Sequence, residues 1–428
     1  MTASSTRDGT GINPTATQHA VEAFLPPPEG ERRGVALCLS GGGYRAALFH
    51  LGAMRRLNEL GILSSVDTIA SVSGGSIAAA FIAAHAVEHP EFWQEPGSVL
   101  ADWETGVAEP LRKLMGTNIR TGAILARFRP NNWFNPNAGN DSLAARLGSD
   151  AILRPVSELP PRPRFIFCAT NLRLRSQWVV DSGANHVGDD KIGYISPIPA
   201  EWTIARAAAT SSCFPIAFVA RRVECVPESL LNGTYHEDDR DDIARRIELT
   251  DGGIYDNLAL EPVWRTHEVV LASDGGPSFK ATPDLGPLWP GLRYVVTLLE
   301  QATEVRQRWL ISNLLRGDLA GAYWSMSSLP RHYEQPSAVP TYSDDLIKDV
   351  ISQFRIDFDA CSDVEIGALE NHGYAMTELA IQHHARQLIR RPNASPSIPY
   401  PQYMDAGVVA SEMARSSRNS LLGRGSWR

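Results

Sequence analysis

The chain has 428 residues, 43% of them hydrophobic, enough for one large α/β domain or two smaller ones. Its formal net charge of −8 excludes a basic nucleic-acid binder and excludes docking on anionic membranes by electrostatics alone. Five cysteines without tight spacing, Cys38, Cys168, Cys213, Cys225 and Cys361, exclude a disulfide framework and a cysteine-based zinc site, and imply reduced thiols in the cytoplasm.

In chain order, residues 1–33 are rich in Thr, Ser, Gly and Pro and read as a flexible leader. They lack the basic-then-apolar pattern of a secretory signal. Val35–Leu39 reads as a buried strand, and Arg45–Leu60 as a helix with Ala47, Leu51, Met54 and Leu57 at helical spacing. Gly61 is placed for a left-handed cap. Asp67–Val72 is the second strand and Gly74–His85 the second helix, closed by Pro90. The apolar run Ile77–Ala84 is far short of the ~20 residues of a membrane span. Trp103–Pro136 reads as irregular and aromatic-rich, with Asn131-Asn132-Trp133-Phe134 as a surface loop. Further strands are expected at Arg164–Thr170, Trp178–Asp181, Ile247–Thr250, His267–Asp274 and Leu292–Val296. Helices are expected at Trp202–Cys213, Thr297–Leu315 and Gly373–Ile389, with a polar loop at Glu224–Arg245. The tail from about Ser411 reads like the leader. Strands alternating with helices predict α/β architecture: a three-layer, mostly parallel central sheet flanked by helices.

Two strand-to-helix junctions carry the chemistry. At the second, Ser71-Val72-Ser73-Gly74-Gly75 has the small residues that a nucleophile elbow needs on either side of its serine. The apolar helix that follows would point its N-terminus at Ser73 and favour negative charge there. At the first junction, Gly41-Gly42-Gly43-Tyr44-Arg45 has three readings. It fits a dinucleotide fingerprint, Gly41-x-Gly43-x-x-Ala46. That reading expects an acidic residue at the end of the second strand, where Val72-Ser73 stands instead. A phosphate loop would need Gly-Lys-Ser/Thr, which is missing. The third reading is an oxyanion hole built from N–H groups of Gly41, Gly42 and Gly43, with help from Gly74.

The serine needs a base. Asp251-Gly252-Gly253 ends a short strand, with Asn257 close behind. Asp274-Gly275-Gly276 offers the same triplet, and Asp181-Ser182-Gly183 a weaker one; spacing alone does not separate them. His372 is the candidate for a histidine base, and a capping or packing role suits it as well. The acidic run Glu237–Asp242 lacks the ligand spacing and turn glycine of a calcium loop and reads as solvated. The residues imply neither metal nor cofactor.

Taken in order, these motifs resemble the patatin-like phospholipases, lipid acyl hydrolases with a Ser–Asp dyad and distant relatives of the cytosolic phospholipases A2. The glycine run with Arg45 is similar to that family's G-G-G-x-R/K-G, with Ala46 in place of the last glycine. Ser71 replaces the glycine usual two residues before the nucleophile. Ala208–Pro215 is similar to A-S-x-A-x-P, and Asp251 through Asn257 to the D-G-G/A segment followed by Asn. The resemblance selects Asp251 over Asp274 and spans about Gly34 to Pro277. It implies a catalytic core over 34–277 and a helical continuation of the same domain over 278–410, ahead of the tail that composition gives over 411–428. It implies hydrolysis of phospholipid fatty-acyl esters by Ser73 and Asp251, with transient contact at membrane surfaces by a cytoplasmic protein. Arg45 would orient the glycine loop or hold a phosphate. Soluble acyl esters or thioesters, and lipid binding without catalysis, are the other functions this fold would serve.

Overall fold

The structure is a computed structural model describing residues 30–126, 135–148, 150–215, 218–276, 290–333 and 339–416. Residues 1–29 of the expected leader, 417–428 of the tail, and the Trp133-Phe134 loop lie outside the described residues.

A ten-stranded sheet runs through the described residues. Its centre is five parallel strands in the order β10 (Ala320–Ser325), β9 (Val269–Asp274), β1 (Val35–Leu39), β2 (Thr68–Val72) and β3 (Arg164–Asn171). Beyond β3 the sheet turns antiparallel through β4 (Ser176–Asp181), β5 (His186–Asp189) and β6 (Gly193–Ile195). The strands alternate side chains between two buried faces, as period-2 geometry requires. Leu37, Leu39, Ile69, Phe165 and Phe167 point to one face, packed under α1 (Gly43–Glu59), α2 (Gly74–Glu88) and α5 (Asp363–His384). Ala36, Cys38, Ala70, Val72, Ile166 and Val270 point to the other, where α4 (Pro290–Arg316) contributes Leu310. A sheet covered on both faces makes the three layers.

The register at β3 positions the site. β2 pairs with β3 only as far as Val72 opposite Cys168. From Ala169 onward that edge is taken over by β8 (Ile247–Asp251), antiparallel, with Asp251 opposite Ala169. Val72 and Asp251 therefore face consecutive residues of one strand, and the chain leaves both at the same point of the sheet. β8 is itself flanked by β7 (Arg221–Val223).

Several expected elements change. Leu292–Val296, expected as a strand, is part of α4; a short apolar, β-branched run has the same pattern in a strand and in a buried helix. α5 starts ahead of its expected position, at Asp363, on a capping box in which Ser362 and Glu365 exchange hydrogen bonds. The stretch read as irregular contains α3 (Glu109–Met115) and a further short helix at Ile119–Ala126. A helix over Ala406–Ser416 runs into the stretch read as tail.

Candidate active site

Ser73 lies between β2 and α2 at φ 51° and ψ −120°, a conformation L residues rarely adopt. This is the sharp turn of a nucleophile elbow, and close packing forces it. A Cβ on Gly75 would sit 2.3 Å from Leu39 O, and one on Gly74 would sit 2.1 Å from Gly43 O. Glycine there lets the start of α2 press against the start of α1. Beneath the turn lies a serine cluster. The Ser73 N–H donates to Ser211 Oγ at 2.9 Å, and Ser211 donates to Cys168 O at 2.6 Å. The Ser76 hydroxyl lies 2.8 Å from Ser211 Oγ and 3.0 Å from Ser71 Oγ. Ser71, the departure from glycine, thus tolerates the close approach and supplies a polar partner.

Three Asp-Gly candidates are told apart by what their carboxylates do. Asp181 is held by Arg164 and by the N–H groups of Gly183 and Ala184. Asp274 accepts from Gly276 N at 2.9 Å, Gln307 Nε2 at 2.6 Å and Tyr323 OH at 2.8 Å. Asp251 accepts from Gly253 N at 2.8 Å through Oδ1, while its Oδ2 is buried with no hydrogen-bond partner among the described residues. Burial pushes the Asp251 carboxyl up to about 6, against the Ser73 hydroxyl and the Gly253 N–H, which pull it down. Its backbone is pinned: Asp251 N donates to Cys213 O at 3.1 Å, and Thr170 Oγ1 donates to Asp251 O at 2.8 Å. The segment 211–213 therefore ties both Ser73 and Asp251.

The glycine loop divides by role. The Gly41 N–H is committed to Asn257 O at 3.0 Å, which removes Gly41 from the expected donor set. Gly41 serves close approach instead, since a Cβ there would lie 2.3 Å from Asn257 Oδ1 and 3.2 Å from Ser73 Cβ. The N–H groups of Gly42, Gly43 and Gly74 have no acceptor among the described residues. They belong to the first positions of two abutting helices, whose dipoles both favour negative charge there. Gly42 at φ 145° and Gly43 at φ 64° need glycine for this geometry.

Arg45 is fully buried. Its guanidinium donates to the carbonyls of Gly275 at 3.1 Å, Ser352 at 3.1 Å and Phe354 at 2.6 Å, and also to Gly276 O. These contacts orient the loops that border the glycine run. His372 lies mid-helix in α5, fully buried; its Nε2 donates to Met326 O at 3.0 Å. Burial pushes it down to about 4, and it packs against Phe49 rather than Ser73. The residue that sequence reasoning missed is His50, on α1. Its Nε2 donates to Ser40 O at 3.0 Å and its Nδ1 accepts from Ser273 Oγ at 2.8 Å. Ser40 O also accepts from Gly75 N at 3.1 Å, so His50 braces the glycine loop from behind. A histidine on an apolar helix face gives no sequence signal for this.

The family model described as patatin-like phospholipase matches residues 37–264. No curated protein sequence matches the chain. Human GIVD cytosolic phospholipase A2 is similar in structure with a TM-score of 0.42 at 14% identity, over 94% of this chain and 65% of that one. The same human enzyme with methyl gamma-linolenyl fluorophosphonate and terbium chloride gives 0.45 at 14% identity, over 87% and 62%. VipD from Legionella pneumophila gives 0.37 at 14% identity, over 83% and 68%. The chain thus spans less than two thirds of the length of the first of these structures.

Proposed function

The chain belongs to the patatin-like phospholipase family, and from that premise we propose that it hydrolyses fatty-acyl esters of phospholipids through a Ser73–Asp251 dyad. The observation that carries this reading is Asp251 Oδ2, a buried carboxylate oxygen with no hydrogen-bond partner among the described residues, at the strand end beside Ser73.

In the proposed mechanism Ser73 Oγ attacks the acyl carbonyl carbon while Oδ2 of ionised Asp251 takes the hydroxyl proton. The carbonyl oxygen becomes an oxyanion and accepts from the N–H groups of Gly42, Gly43 and Gly74. Collapse expels the alcohol oxygen of the lipid, which receives the proton from Asp251. The acyl group is left on Ser73. A water molecule then gives its proton to Asp251 and attacks the acyl-enzyme. Collapse returns that proton to Ser73 and releases the fatty acid. One carboxylate serves both half-reactions, so no histidine is required, in keeping with the remote position of His372.

Retention of both Ser73 and Asp251 argues against a purely lipid-binding role. All five cysteines are free and buried, which supports a cytoplasmic location. No described helix is long and apolar enough to cross a membrane, and the proposed contact with lipid is transient. The deciding experiment is mass spectrometry of products from mixed phospholipids and acyl-CoA, with Ser73→Ala as control. Free fatty acid and lysophospholipid from the wild type alone are expected. Release from acyl-CoA alone would replace this substrate with a soluble thioester.

A further inference from the structure

At the far end of α2 from Ser73, a second cluster of chemistry-bearing side chains converges. His85 lies in the last turn of the helix and His89 is its C-cap, so the two share one face at i, i+4 spacing. Their rings stack with centroids 4.6 Å apart at 29°. Asp102, from the segment that leads into the helix Glu109–Met115, closes on them from outside. Its Oδ2 lies 3.1 Å and its Oδ1 3.3 Å from His85 Nε2. One ligating atom from each of the three residues lies within 4.8 Å of the others.

We propose that His85, His89 and Asp102 form a binding site for a zinc-class divalent metal ion, separate from the acyl-transfer site. Two imidazoles and one carboxylate are the donor set of zinc rather than of calcium or magnesium, which take oxygen ligands. Three protein ligands leave a fourth tetrahedral position for water. Glu91 Oε1 lies 3.2 Å from His89 Nδ1. Accepting that proton fixes the tautomer that leaves His89 Nε2 as the ligand, the usual carboxylate–histidine arrangement behind a metal. The ion would also sit at the negative end of the α2 dipole, where the last carbonyls lack helical donors. The His89 and Asp102 side chains are 47% and 46% exposed, so the ion has an entry path from solvent.

The spacing His85-x-x-Glu88-His89 also occurs in one class of zinc peptidases, where the glutamate acts as base. Glu88 is outside the converging group, so the site has the ligands of that motif without its base. At 1.5 Å per residue His85 stands about 18 Å along the helix from Ser73, too far to touch the ester. The ion would instead clip the Asp102 segment to the end of the helix that carries the nucleophile.

Affinity is bounded from the other side. A metal on His85 Nε2 sends the ring proton to Nδ1, a buried atom with no hydrogen-bond partner among the described residues. Missing support of this kind costs metal sites about 10- to 100-fold, so micromolar rather than nanomolar binding of Zn²⁺ is expected.

The test is isothermal titration of the full chain with ZnCl₂, repeated with His89→Ala and with Asp102→Asn. One equivalent bound by the wild type is expected, with each variant weakened at least about tenfold. Both positions are half-exposed, and circular dichroism verifies that the variants fold. Co²⁺ provides a second readout: a visible spectrum of four-coordinate nitrogen and oxygen ligation, lost in His89→Ala. No binding of Zn²⁺ at 100-fold excess would overturn the proposal. Unchanged affinity and stoichiometry in both variants would overturn it too, by placing the ion elsewhere. The readout is metal binding, so it stands whether or not the ester hydrolysis does.

Discussion

Asp251 is held in a costly state. Its carboxyl titrates near 6 instead of near 3.8 because burial penalises the charge. A folded-state value raised above the unfolded one means the folded protein prefers the protonated form. The stability this group contributes is fully present below about pH 4 and is lost as pH rises through 6. Asp251→Asn is therefore expected to be inactive and yet more stable at pH 7.5, by up to about 3 kcal/mol, with the gain vanishing at pH 4. Urea denaturation at the two pH values measures it; a loss of stability at pH 7.5 would mean that the hydrogen bonds to the carboxylate outweigh the cost of burying its charge. The same titration sets catalysis, because only ionised Asp251 can take a proton. The pH profile of kcat/KM is expected to rise through about 6 and then stay flat. Ser73→Ala is expected to abolish hydrolysis and labelling by a fluorophosphonate while leaving folding intact. Labelling that persists would move the nucleophile to another serine, such as Ser76. Ser73 and the Asp-Gly-Gly triplets are legible in the sequence because small residues around a reactive side chain leave a local mark. The commitment of the Gly41 N–H to Asn257 O, and the bracing by Ser211 and His50, leave none, because each depends on a partner brought in from a distant strand.

Among the elements, the loops around the glycine run depend on one side chain. Arg45 supplies donors to four carbonyls on two separate segments, 275–276 and 352–354. A lysine ammonium cannot span that spread, since it is a point charge rather than a planar fork. Arg45→Lys is expected to lose about 2–4 kcal/mol of stability, from hydrogen bonds to a charged group and from carbonyls left buried without donors. A phosphate-binding role predicts the reverse pattern: unchanged stability, and a KM raised for phospholipid but not for a neutral ester. Denaturation and paired kinetics on the same variant separate the two. The first two βα units are legible because long apolar periodicity and the glycine cap at Gly61, φ 69°, agree with each other. Leu292–Val296 misleads because a short apolar run cannot reveal its period. β10 is missed because Ala320-Gly321-Ala322 has neither the bulk nor the alternation of a strand; it exists by pairing with β9.

For the whole molecule, the sequence reveals the layered α/β class but not how the sheet is used. That β8 replaces β2 along β3, and so delivers Asp251 beside Ser73, follows from where two strands end against a third, and no local pattern encodes it. The proposed substrate adds a further requirement, since phospholipid acyl chains must be drawn from an interface. With a net charge of −8, attraction of the chain as a whole to anionic lipid would not supply the contact, which leaves it to apolar side chains. The sequence Asn131-Asn132-Trp133-Phe134 offers two aromatics between polar neighbours. Burying one of them in the acyl boundary would contribute about 1.5–3 kcal/mol, roughly ten- to a hundredfold in weak affinity. Wild type is expected to float with neutral phosphatidylcholine vesicles and with vesicles containing anionic lipid, at low and at high salt alike, and Trp133→Ala to float less by that factor. Equal flotation of the two proteins would take this segment out of the contact. Flotation that collapses with salt would assign the contact to a local basic patch, because screening acts on charges across a Debye length and leaves buried apolar area untouched.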